Sequence, residues 1–153
     1  MNKINKTITI NVPVHAIFEY ISDPLNLSKA CSNLIAVDDI EPLPNGVKNF
    51  HWEYKLANVH FFGTSDILEC DVDHCLASSI EGGITGTITW LFEALPAPTQ
   101  VTLIIEYELP ALFVKKHGVK VISRENESAI NFLLETLKTT IEKTITPKLS
   151  EKI

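Results

Sequence analysis

Asp66 is the residue whose placement in this sequence could do the most chemistry. If it shares a strand face with Leu68 and Cys70, its carboxylate turns toward an apolar interior. Loss of water there raises a carboxyl pKa and suits the group to general acid or base work. A bulge at Gly63-Thr64 would instead shift the register and leave Asp66 in water, and the sequence favours this second reading. Tyr54 and Tyr107 are the other groups able to serve a reactive carbonyl, but no acid/base pair stands at a telling spacing.

Trp52, Tyr54, Trp90, Phe92 and Tyr107 fall at alternate positions of strand-like runs. They offer a buried ligand broad apolar contact, with a polar handle on each tyrosine and tryptophan. Filling a core is the plainer role for each of them. Asn126 lies four residues after Ile122 and four before Ile130, close to an apolar stripe that also carries Leu133. It could hydrogen-bond a ligand carbonyl or face solvent. Arg124 is the single arginine of the chain, and an exposed ion pair is its default role.

Neither a metal nor a cofactor is expected. His15, His51, His60, His74 and His117 are scattered with no pair at i, i+4, and Cys31, Cys70 and Cys75 show no CxxC spacing. Cys70 and Cys75 could meet across a hairpin closed by Asp71–His74, although reduced cysteines are the favoured reading. Signatures for a nucleophile elbow, a P-loop and a dinucleotide fold are missing from the sequence.

These residues need a scaffold, and the 153-residue chain suits one domain spanning 1–153. Hydrophobic residues make up 45% and charged residues 21%, as in globular proteins. A net charge of −6 argues against a nucleic-acid surface; only Lys115, Lys116 and Lys120 cluster. With neither a signal-peptide run nor a membrane-length apolar stretch, the expectation is a cytoplasmic protein without integral membrane association. Oligomeric state is open.

A strand is predicted over Lys3–Val12, followed by helical spacing of Val14, Ile17, Phe18 and Ile21. A second short helix follows from Pro24 to Ala30, with Asp23 as N-cap and proline at its first position. Six more strand-like runs come next. The clearest places Phe50, Trp52, Tyr54 and Leu56 on one face, and turn signals at Asn45-Gly46 and Gly82-Gly83 separate others. The loop before the seventh strand holds Pro96-Ala97-Pro98. From about Pro110 to Leu149 runs an amphipathic helix that begins after Gly118 or bends near it, with Pro147 ending or kinking its last turn. A sheet this extensive, followed by one long helix, most simply wraps around it and leaves a cavity between them.

The run from Ile10 to Pro24, INVPVHAIFEYISDP, resembles the opening of the polyketide cyclase/START-like superfamily, which includes the Bet v 1-like proteins. Thr89-Trp90-Leu91-Phe92 before a proline loop, Val101-Thr102-Leu103, and Leu109-Pro110 leading into the last helix are similar to its second half. The resemblance implies an α+β helix-grip fold. In it a seven-stranded antiparallel sheet is wrapped around a long C-terminal helix, with two short helices after the first strand. It also implies an internal cavity for a lipid-like or aromatic polyketide-like molecule. Binding of that hydrophobic small molecule is the preferred function. A cyclase or dehydratase acting in the same cavity is the alternative, and a partner-protein-binding accessory module with a filled interior is the third.

Overall fold

The computed structural model describes residues 2–94 and 98–151. The chain opens with β1 (Asn2–Ile10), α1 (Val14–Ile21) and α2 (Pro24–Ala30). It continues through β2 (Leu34–Pro42), β3 (Lys48–Leu56), β4 (Val59–Asp71), β5 (Cys75–Gly82), β6 (Thr85–Ala94) and β7 (Thr99–Glu108). It closes with α3 (Ala111–His117) and α4 (Val119–Glu151). All pairings are antiparallel, and the sheet order is β1-β7-β6-β5-β4-β3-β2. Consecutive strands from β2 to β7 are neighbours, while α1 and α2 carry the chain from one sheet edge to the other. This is the helix-grip architecture.

Local chemistry explains the short elements. Ile17, Phe18 and Ile21 of α1 are buried on one side. The Asp23 carboxylate accepts the Leu25 amide at 3.0 Å and so caps α2, with Pro24 just inside its start. Asn45 and Gly46 both take positive φ in the turn before β3. The Pro96-Ala97 part of the β6–β7 connection lies outside the described residues.

The terminal helical segment is two helices rather than one. Gly118 has φ 87° and ψ 138°, a conformation outside any helix that costs a side-chain-bearing residue dearly, and it separates α3 from α4. The second helix then continues past Pro147 to Glu151. On its inner face Ile122, Asn126, Ala129, Ile130, Leu133, Leu134, Leu137 and Ile141 are buried, at the three- and four-residue spacing that lays one stripe on the sheet.

The bulge expected at Gly63-Thr64 lies elsewhere. β3 and β4 pair without a shift from Phe50↔Ser65 to Leu56↔Val59, whereas β4 and β5 slip between Ile67 and Glu69. Leu68 is the extra residue and is 62% exposed. Gly63 instead answers a close approach: a Cβ there would stand 2.3 Å from the Trp52 ring and 2.2 Å from the Glu81 carbonyl oxygen. The missing side chain lets the Trp52 indole lie flat against β4.

Candidate functional site

An internal cavity of about 160 Å³ lies between the sheet and the first half of α4. Trp52 and Tyr54 reach it from β3, Trp90 from β6, Tyr107 from β7, and Asn126, Ile130 and Leu133 from α4. Phe92 does not reach it. Although it shares a strand face with Trp90, it lies two residues on, where α1 covers the sheet, and its ring packs edge-on against Phe18 at 5.4 Å.

The polar centre of the cavity is a chain of three side chains. The Tyr54 hydroxyl donates to Asn126 Oδ1 at 2.9 Å, and Asn126 Nδ2 donates to the Tyr107 hydroxyl oxygen at 2.9 Å. Asn126 is therefore turned inward, not to solvent, and is 6% exposed. Burial, with Cys31, Glu125 and Tyr107 nearby, drives the Tyr54 phenol far above its usual range. Burial also raises Tyr107, against the opposing effect of the Asn126 bond. Both stay protonated at neutral pH. The Trp52 Nε1 hydrogen is buried without a partner.

Two lining residues come from outside the aromatic pattern. Ser65, 3% exposed, projects from β4 in phase with Phe61 and Gly63. The period-2 pattern through Phe61 was the signal that could have found it. Cys31 enters from the end of α2, between elements, where no periodicity marks it, and burial pushes its thiol up.

Asp66 lies on the outer face, as the favoured reading of the sequence has it, but without the bulge at Gly63-Thr64 which that reading invokes. It is exposed because Phe61, Gly63, Ser65 and Ile67 take the inner positions of β4. The extra residue at Leu68 then reverses the phase, so that Cys70 faces inward, opposite the buried Leu76, and shares no face with Asp66. The proposed catalytic carboxylate thus lies outside the cavity. Cys70 and Cys75 are register neighbours of Leu76 and Asp71 and do not oppose each other.

Glu125, next to Asn126, carries a structural role that the sequence pattern hid. Its carboxylate accepts the Ala57 amide at 3.1 Å and Asn33 Nδ2 at 3.0 Å, while Asn33 Nδ2 also donates to the Lys55 carbonyl at 2.8 Å. These bonds tie α4 to the β3–β4 turn and fix the rotation that presents Asn126 to the two tyrosines. Outside the cavity, a groove of about 560 Å³ runs along the outer side of α4 between Val121 and Phe132, which are 56% and 60% exposed. Arg124 borders this groove, not the cavity. The ligating atoms of Asp38, Asp39 and His51 come within 4.8 Å of one another on the exposed β2–β3 surface, where His51 pairs with Asp39 at 3.0 Å.

The profile of a family described as polyketide cyclase/dehydrase and lipid transport matches residues 1–142. The chain belongs to this family. A comparison with curated proteins finds no match. Among solved structures, a Thermus thermophilus protein superposes with TM-score 0.79 at 16% identity, covering 94% of this chain and 99% of that one. The Zhui aromatase/cyclase of a Streptomyces species gives TM-score 0.68 at 14% identity over 94% and 95% of the two chains. A START superfamily protein from Mycobacterium smegmatis gives 0.67 at 15% identity over 92% and 97%. These likenesses show a shared fold. Among the described residues no helix is long and apolar enough to cross a membrane.

Proposed function

We propose that this protein binds an apolar small molecule in the cavity between its sheet and α4. The observation that carries the reading is the cavity itself: its walls are predominantly apolar, and two tyrosine hydroxyls meet on Asn126 within it. Such a concave apolar space with a small polar cluster is the usual form of a ligand site. Family membership supports a site for apolar molecules, since the family's description names polyketide cyclase/dehydrase activity and lipid transport.

Binding is preferred to turnover on chemical grounds. A cyclase or dehydratase needs a proton acceptor near a reactive carbonyl. Among the described residues, the cavity lining contains no Asp, Glu, His, Lys or Arg, and burial keeps the Tyr54, Tyr107 and Cys31 protons in place.

Native mass spectrometry of freshly purified protein, with organic extraction of any bound species, tests the reading. A stoichiometric apolar molecule supports it. Trp52 and Trp90 are the only two tryptophans, and both border the cavity, so displacing that molecule should alter intrinsic fluorescence. Trp52→Phe and Trp90→Phe should each remove a separable part of the change. A protein that carries nothing and takes up no apolar probe refutes the reading.

A further inference from the structure

The hydrogen bonds of the cavity leave a surplus of donors. Asn126 offers one carbonyl and one amide to two phenols, so one hydroxyl donates to it while the other accepts from it. Here Tyr54 donates and Tyr107 accepts, which leaves the Tyr107 O–H with no acceptor among the described residues. Reversing the amide would only move the surplus hydrogen to Tyr54. Trp52 Nε1–H, which can only donate, is a second buried hydrogen without a partner. Buried oxygens tolerate an unused lone pair more readily than a donor tolerates a missing acceptor. Ser65 Oγ, the other side-chain oxygen lining the cavity among the described residues, bonds neither hydrogen, so both are left for an acceptor that enters from outside the protein.

Charge and size narrow what can supply it. Among the described residues, no lining side chain can neutralise an ion, so a carboxylate or an ammonium would lose its hydration without compensation. The volume of about 160 Å³ falls below the ~300 Å³ at which drug-sized sites begin and matches the ~150 Å³ that holds benzene in an engineered protein cavity. A long acyl chain or a fused multi-ring skeleton exceeds it.

We propose that the cavity selects a neutral, single-ring molecule carrying a carbonyl or comparable acceptor oxygen, held by a hydrogen bond donated from the Tyr107 hydroxyl. This rests on the reading of the cavity as a ligand site. It restricts the ligand to a smaller and more polar-tipped class than the family's description covers. The chain from Tyr54 through Asn126 to Tyr107 gives the bond its direction, each donor passing polarisation to the next.

Titration calorimetry with four probes tests this: acetophenone, its apolar isostere isopropylbenzene, benzoate and palmitate. Acetophenone should bind at least about tenfold tighter than isopropylbenzene, and benzoate and palmitate should show no binding. In Tyr107→Phe the advantage of acetophenone should fall to within about threefold while isopropylbenzene still binds, which also reports a folded cavity. Equal affinity of acetophenone and isopropylbenzene in the wild-type protein would overturn the acceptor requirement and leave the ligand site standing. Tighter binding of benzoate would overturn neutrality, and tighter binding of palmitate the size limit. If none of the four binds, this proposal falls, and the native mass spectrum of the purified protein decides the binding reading separately.

Discussion

Leu137 and Ile141, on the later half of α4, are 1% and 0% exposed and do not line the cavity, whereas Ile130 and Leu133, on the earlier half, face it. Both pairs belong to one apolar stripe with one spacing. The later half is also clamped at its polar edge: Glu142 accepts the Asn11 amide at 2.8 Å, and Lys138 donates to Glu142 at 3.1 Å. The earlier half is tied to the sheet's β3–β4 turn by a different device, Glu125 bonded to Ala57 and Asn33. One helix thus supplies a packed end that stabilises the fold and an end that borders the cavity.

Truncation separates the two ends most sharply. Leu137→Ala should cost about 3–5 kcal/mol by urea unfolding, because the side chain is enclosed on every side and its removal opens a new void. Ile130→Ala should cost only about 2 kcal/mol, since one side of that residue already faces space. Equal losses would show that the cavity wall is as well packed as the core.

At the end beside the cavity, Asn126→Leu keeps the branched heavy-atom shape but strands two phenols. Unfolding should show a loss of about 1–3 kcal/mol, the cost of buried hydroxyls without partners. A neutral result would mean that Tyr54 and Tyr107 find each other or water, and that the amide does not organise the site.

At the packed end, the Glu142 carboxyl is held below its usual value, chiefly by the Asn11 amide and further by Lys138, against the opposing effect of burial. A depressed carboxyl pKa contributes stability above its unfolded value, and the contribution disappears as pH falls through the folded one. Glu142→Gln should therefore be less stable than wild type at pH 7 by under about 1 kcal/mol, with the difference vanishing in acid. A difference independent of pH would remove the carboxylate from the account.

The smallest effect belongs to Asp66. On the outer face its change to Asn should alter stability by less than about 0.5 kcal/mol and leave ligand affinity unchanged. A loss of binding in Asp66→Asn would place that carboxylate back in the site.

Much of this architecture is legible in local sequence. Alternation in β3 and β7, helical spacing in α1 and α4, the Asp23-Pro24 cap and the Asn45-Gly46 turn each depend on neighbours a few residues apart, and one-dimensional patterns record such dependence. The aromatic side of the site was readable for the same reason. Phe92 shows where that logic stops: its phase matches Trp90, yet a helix from elsewhere in the chain covers it.

By itself, the sequence determined the order of elements, the inward faces of the regular strands and the stripe of α4, because steric and hydrophobic periodicities are properties of adjacent residues. Only the tertiary structure decided that β4 changes phase at Leu68, that Asn126 stands between Tyr54 and Tyr107, and that the cavity is lined by Ile130 rather than Leu137. The bonds that place Glu125 and Asn126 join residues 92, 72 and 68 positions apart. A cavity is the gap left when sheet curvature and helix position are both fixed, and no single segment encodes it.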